Sequence, residues 1–380
     1  MRLRAIVVLL FLSCLWGAVS YAQTSDFAGL PSGVWTNVPL EGGTCLYGTP
    51  YSLFVRPSDV PTDKLMIYFG GGGACWDGVT CADKGRYATL YEVSDDIVKR
   101  VPEGFFDYSN PENPVRDYHA VFVPYCSGDA HSGDSVVTFD VPSGSVRNYS
   151  EPTLTVNFQG VNNARAALAW VYENVLAPSQ VLVAGCSAGG YGALYHADEV
   201  MAHYDGVPSI LLADAANGVT PVAWEGFNTW NILANLPSYM AGTTLEEYST
   251  TLHTLAIAQA FPNNRFAQVN TALDRIQVAF YGLMRGQAVD ISNFAIIAQQ
   301  WGEGLLQNLS ALQSEAPNFA SYTAGGLAHC ITPSDTTYRY TVGGVRFVDW
   351  VRALLNDGTA GNVACDVAKG ECFVEPLGAN

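Results

Sequence analysis

The chain has 380 residues, 49% of them hydrophobic, and a formal net charge of −17 at pH 7. That length supports a large buried core, and that charge argues against nucleic acid or an anionic membrane surface as partner. Only 18 Lys and Arg residues stand against 35 Asp and Glu, so nothing in the composition helps to attract a polyanionic substrate.

The first residues, Met1-Arg2-Leu3-Arg4, are basic. An apolar run over 5–16 and a small-x-small Ser20-Tyr21-Ala22 follow. This pattern predicts a secretory signal peptide over 1–22, because the apolar run is too short to span a bilayer. Its removal leaves 358 residues and takes the net charge from −17 to −19, since Arg2 and Arg4 go with it. No Pro- or Ser-rich linker, repeat or low-complexity tract follows, so 23–380 is expected to form one domain. The eight remaining cysteines, an even number in a secreted chain, predict disulfides. Cys75–Cys81 and Cys365–Cys372 are natural pairs by spacing, whereas the partners of Cys45, Cys126, Cys186 and Cys330 stay open. No CxxC pair supports a zinc site.

Residues 51–55 and 64–69 read as strands, the second running into Gly70-Gly71-Gly72-Gly73. Residues 119–125 read as another. A helix is predicted over 163–175, with Leu168, Val171, Tyr172 and Val175 on one face. A strand over 180–185 turns directly at Gly185-Cys186-Ser187-Ala188-Gly189-Gly190 into a helix. Residues 209–213 form the next strand and end at Asp214. This alternation predicts the α/β class: a mainly parallel sheet with helices on both faces. Aromatic residues Trp224, Phe227, Trp230 and Tyr239 then crowd an irregular stretch. Thr244-Leu245-Glu246-Glu247 is a capping-box pattern, predicting a helix with Leu245, Tyr248, Leu252 and Leu255 on its apolar face. A second helical stretch runs through 286–312. Helical cap insertions are therefore expected near 222–262 and 278–320, over the upper edge of the sheet. Residues 265–269 read as a returning strand, and 345–355 as a final amphipathic helix closed by Asn356-Asp357-Gly358.

The tight corner at Ser187 has the form of a nucleophile elbow, in which glycines at 185 and 189 avoid clashes and the hydroxyl projects from the sheet. A serine at neutral pH needs a base, and the base needs an orienting acid. Of six histidines, His329 lies in a small-residue loop before the final helix, where the base of such a fold comes last in the chain. Two acids follow strands beyond the serine, Asp214 and Asp274. Asp274, one strand further on, leads. The glycine run can present backbone N–H donors to an oxyanion, with the N–H of Ala188 as the other half, each donor worth on the order of 10²–10³ in rate. Asp129, His131 and Asp134 fall within six residues and offer a metal-assisted alternative. A polar loop lining the cleft is the preferred reading, and neither metal nor organic cofactor is expected.

With these features in place, the chain resembles the pectin acetylesterase and Notum family of secreted α/β-hydrolase carboxylesterases. Phe69-Gly70-Gly71-Gly72-Gly73-Ala74-Cys75-Trp76 with Cys81 is similar to the family's oxyanion block. Pro124-Tyr125-Cys126-Ser127-Gly128-Asp129 is similar to its Tyr-Cys loop, residues 185–190 to its nucleophile block, and Ala328-His329-Cys330 to its histidine block. Asp274-Arg275-Ile276-Gln277 resembles its Asp-x-x-Gln. The resemblance implies an α/β-hydrolase-like fold with Ser187, Asp274 and His329 as catalytic residues, Asp274 ahead of Asp214. It also implies an oxyanion hole of Gly72, Gly73 and Ala188, with Trp76 as a candidate substrate contact; His131, a departure from the family's Tyr-Cys loop, is a second candidate to line the pocket. Gly70 stands where better-known members tend to carry an acidic residue, Ala74 where plant members tend to have tryptophan, and the cap segments show no resemblance. Family substrates range from acetylated pectin to a fatty-acylated protein. The expectation is a secreted, monomeric serine carboxylesterase that deacetylates an acylated carbohydrate such as pectin. The alternatives are another secreted or lipid-like acyl ester, or a catalytically silent binding protein.

Overall fold

The structure is a computed structural model that describes residue 27 and residues 29–377, apart from Val101 and Asp357. The signal peptide expected over 1–22 lies outside the described residues. The strands in chain order are β1 (Thr36–Thr44), β2 (Pro50–Arg56), β3 (Lys64–Phe69), β4 (His119–Val123), β5 (Ser135–Asp140), β6 (Thr153–Phe158), β7 (Gln180–Cys186), β8 (Ser209–Asp214), β9 (Arg265–Thr271) and β10 (Phe319–Ala324). The main sheet runs β1-β2-β4-β3-β7-β8-β9-β10, with a short strand Val363–Ala364 at its far edge. β1 and β2 pair antiparallel, as do β2 and β4, and every pairing from β4 onward is parallel. β5 and β6 form a separate antiparallel ribbon.

The helices are α1 (Gly78–Ala82), α2 (Gly160–Asn174), α3 (Ala188–His203), α4 (Glu225–Thr229), α5 (Thr250–Ala260), α6 (Arg275–Met284), α7 (Phe294–Glu315) and α8 (Phe347–Asn356). The central strands are apolar on both faces because both faces are covered. Leu65, Ile67 and Phe69 of β3 join a core with Leu168 of α2, Val200 of α3 and Trp301 of α7. Met66 and Tyr68, pointing the other way, join a core with Trp350, Val351 and Leu354 of α8. Each such buried side chain contributes about 1.5–3 kcal/mol.

Three expectations are corrected. The segment 278–320 is not a cap throughout, because α7 lies on the sheet. Its Ile297, Trp301, Leu305, Leu309 and Leu312 recur at helical spacing and are buried in the core. The capping box at 244–247 closes a single turn, with Glu247 accepting from the Thr244 N–H at 3.0 Å. The helix itself starts after Ser249, whose hydroxyl accepts from the Leu252 N–H at 3.1 Å, and Leu252 is exposed. Finally, β10 straddles the end of the expected cap and the start of the small-residue loop before His329, since its short Phe-Ala-Ser-Tyr-Thr-Ala carries little strand signal.

Disulfides join Cys75 to Cys81 and Cys365 to Cys372, as their spacing suggested, and also Cys45 to Cys126 and Cys186 to Cys330. Among the described residues, no helix is long and apolar enough to cross a membrane.

Candidate active site

Parallel neighbours bring their carboxyl ends to one edge of the sheet, so the loops after β3, β7, β8, β9 and β10 converge there. Ser187 sits between β7 and α3 with φ 58° and ψ −128°. Such a backbone costs on the order of 1–3 kcal/mol and persists only when its surroundings hold it. Here they do. A Cβ on Gly185 would lie 2.1 Å from the Gly189 carbonyl oxygen, and one on Gly189 2.0 Å from that of Phe69. The Ser187 N–H donates to the Asp214 carbonyl at 2.9 Å, pinning the corner to β8.

Asp274 is the N-cap of α6. One carboxylate oxygen accepts from the N–H groups of Ile276 and Gln277, both at 3.0 Å. The carboxylate also faces His329 Nδ1, at 2.8 and 2.9 Å from its two oxygens. Asp274 is buried, while the His329 side chain keeps 16% exposure and lines the cleft together with Ser187. A carboxylate facing Nδ1 places the imidazole proton there and leaves the Nε2 lone pair as a proton acceptor.

Asp214, the rival acid, does other work. Its Oδ2 accepts from the Ile331 N–H at 2.8 Å, the Thr332 N–H at 2.6 Å and the Thr332 hydroxyl at 2.8 Å. It braces the loop that follows His329. Burial pushes its carboxyl up to about 6, against the lowering effect of the Thr332 and Ile331 hydrogen bonds.

The glycine run is tethered at both ends. The Gly70 N–H donates to Val123 at 2.9 Å, the Ala74 N–H to Tyr87 at 3.1 Å, and the Gly72 carbonyl accepts from Thr89 at 2.8 Å. Among the described residues, the N–H groups of Gly71, Gly72, Gly73 and Ala188 have no protein acceptor. Gly73 has φ +78°, and a Cβ there would lie 1.7 Å from the Tyr87 carbonyl oxygen. Unpaired donors beside a serine and an oriented imidazole are what acyl transfer requires.

Two compartments meet at Ser187. Trp76, Tyr191, Trp224, Phe227, Phe280 and Met284 wall the first. Tyr68, Arg86, Tyr87, Leu90, Phe106 and Phe122 wall the second. Trp76 thus faces the cleft. His131 does not, because its ring is buried and its Nε2 lies 2.8 Å from the Gly70 carbonyl oxygen. Sequence reasoning missed the lining roles of Phe280, Met284 and Arg86. Aromatic and Met side chains carry the same signal in a wall as in a core, and Arg86 lies in a loop without periodicity.

Asp129, His131 and Asp134 do not converge on a cation. The Asp129 carboxylate accepts from the Ser127 hydroxyl at 2.6 Å, the His131 N–H at 3.1 Å and the Gly160 N–H at 2.8 Å, while Asp134 accepts from Asn162 at 2.9 Å. Among the described residues, the one close group of three potential ligands is Cys186, His329 and Cys330, whose sulfurs form a disulfide.

Residues 33–281, well over half of the chain, match the pectinacetylesterase family. The chain belongs to the pectinacetylesterase family. The matched region holds the glycine run, Ser187 and Asp274, and His329 lies beyond it. Pectin acetylesterase 11 of Arabidopsis thaliana is 26% identical over 163 residues, 42% of this chain and 38% of that protein. The palmitoleoyl-protein carboxylesterase notum2 of Xenopus laevis is 30% identical over 163 residues, 42% of this chain and 30% of that protein. The palmitoleoyl-protein carboxylesterase NOTUM of Mus musculus is 28% identical over 181 residues, 46% of this chain and 33% of that protein. The alignments thus span about a third of the length of these relatives. Among solved structures, the Wnt deacylase Notum from Drosophila superposes with a TM-score of 0.61 at 16% identity, covering 87% of this chain and 94% of that one. This pectinacetylesterase-family chain therefore has the α/β-hydrolase-like fold.

Proposed function

We propose that this protein is a secreted serine carboxylesterase that removes acyl groups, acetyl first among them, from an acylated carbohydrate such as pectin. The observation that carries the reading is His329, held through Nδ1 by buried Asp274, on the rim of the pocket that contains the Ser187 elbow. In the proposed reaction, His329 Nε2 takes the Ser187 proton as the hydroxyl oxygen attacks the ester carbonyl. Asp274 holds the imidazole tautomer and stabilises its charged form. The N–H groups of Gly72, Gly73 and Ala188 stabilise the oxyanion. His329 returns the proton to the leaving alcohol, and water, activated by the same imidazole, hydrolyses the acyl-enzyme. The chain's own side chains and backbone N–H groups, with water, supply every step.

A second reading concerns the acyl group. The wall of Trp76, Trp224, Phe227, Phe280 and Met284 is more apolar than an acetyl group alone requires, which favours a longer, lipid-like chain. Hydrolysis rates of acetyl, butyryl and longer p-nitrophenyl esters, measured beside acetylated polysaccharides on the pure protein, separate the two. A rate that falls steadily beyond acetyl supports the first reading, and one that rises with chain length supports the second. A fluorophosphonate probe that fails to label Ser187 removes both.

A further inference from the structure

The loop after Cys126 carries a histidine that the proton relay does not use. Ala130 and His131 both have positive φ, 52° and 62°. The Asp129 carboxylate holds them there by accepting from the His131 N–H and, across the loop, from the Gly160 N–H. From the other side, His196 Nε2 lies 2.9 Å from the His131 carbonyl oxygen. The His131 ring is edge-on to Phe69, with centroids 5.2 Å apart, and 4.9 Å from the Tyr125 ring. A Cβ at Gly192 would lie 2.6 Å from it, so α3 leaves just enough room for the imidazole. Burial pushes the His131 imidazole down to about 3, so it is neutral and has one N–H to give. A carbonyl oxygen only accepts, so the proton sits on Nε2 and is donated to Gly70.

We infer that His131 is a positioning residue for the oxyanion hole: its Nε2–H anchors the Gly70 carbonyl and so sets the direction of the N–H groups that follow. The inference rests on the esterase reading of Ser187, Gly72, Gly73 and Ala188. Its physical basis is the freedom of four consecutive glycines, which need an external tether to hold one conformation. The Gly70 carbonyl and the Gly71 N–H belong to one rigid peptide plane, so fixing the first aims the second. Gly71 touches the nucleophile's corner, where a Cβ would lie 3.2 Å from that of Ser187. Downstream, Thr89 and Tyr87 hold the run in place. Upstream, the side-chain tether is His131.

The test uses His131→Leu and His131→Gln, with active sites counted by complete fluorophosphonate labelling and kinetics read on p-nitrophenyl acetate. His131→Leu should lower kcat per labelled site at least about tenfold, less than the roughly 10²–10³ that loss of an oxyanion donor costs because the donors are misaimed rather than removed, with KM changed less than about threefold. His131→Gln, whose amide N–H replaces the donor, should keep at least about a third of wild-type kcat. Gly192→Ala pushes on the same ring and should reproduce the kcat loss, which decides the matter if His131→Leu does not fold. Unchanged kcat per labelled site in His131→Leu or Gly192→Ala overturns the inference, as does an equal loss in the Leu and Gln variants. Wild-type protein that takes no label defeats the esterase reading instead.

Discussion

Cys186 and Cys330 are joined by a disulfide that closes 144 residues, with their Cα atoms 5.7 Å apart, and each is the chain neighbour of a cleft residue, Ser187 or His329. The bond therefore ties the strained elbow to the loop that carries the imidazole. In the chain-entropy account, a loop of that length is worth up to about 5 kcal/mol.

Replacing both cysteines by alanine should lower the melting temperature by at least about 5 °C, at about 2–4 °C per kcal/mol. It should also lower kcat by about tenfold, because a loosened His329 spends less time in reach of Ser187. Thermal unfolding and ester hydrolysis on the double variant check this. Wild-type kcat would mean that the Asp214 hydrogen bonds position the loop without the disulfide.

Ser187→Ala should reduce ester hydrolysis to below about a hundredth of wild-type kcat with little change in stability. Alanine fits where serine fits, and the strained φ remains. Retention of more activity than that, in protein free of wild-type contamination, assigns the nucleophile elsewhere.

Asp274→Asn should lower kcat by on the order of 10³–10⁴, since asparagine favours the wrong imidazole tautomer. Asp214→Asn should cost less than about tenfold. A reversed ranking would move the acid role to Asp214.

Asp214 should also leave a signature in stability. Burial raises its folded pKa from 3.8 to about 6. The folded state then holds this proton more tightly than the unfolded state, so the contribution is fully present below the ordinary value and is lost as pH rises through about 6. Wild type should lose stability relative to Asp214→Asn between pH 4 and 7, read as the difference in denaturant midpoint. A difference that is flat or grows with pH contradicts this.

Substrate charge gives a further test. Among the described residues, Arg86 is the one Lys or Arg that lines either compartment, and it is already paired with Asp83 at 3.3 Å in a chain of net charge −17. Neutral acetyl esters or neutral acetylated sugars should be hydrolysed at least as well as highly demethylated acetylated pectin. Activity on that polymer should rise with salt, as screening cuts the repulsion to a range of about 10 Å at 0.1 M. A preference for the charged polymer that weakens with salt would overturn this and make Arg86→Gln the next variant to assay.

The α/β class, β3, β7 and the Ser187 corner were legible because strand period, glycine spacing and turn strain are local properties of the chain. Gly185 and Gly189 stand two residues either side of the serine they accommodate. Asp274 and His329 lie 87 and 142 residues beyond Ser187, so residue types alone left Asp214 as a rival, and Asp274 led only by its place in the strand order and by the family resemblance. What separates the two acids in space is the order β7-β8-β9-β10 and the direction of two side chains, one toward Nδ1 of His329 and one toward the backbone of Ile331 and Thr332. The same holds for His131. Its place in a polar loop suggested a cleft residue, whereas the packing of α3 against β3 buries it under the glycine run. Local conformation follows from neighbours in sequence, but which groups share a hydrogen bond depends on where non-local strands bring them, and that is settled by burial of both faces of the sheet together.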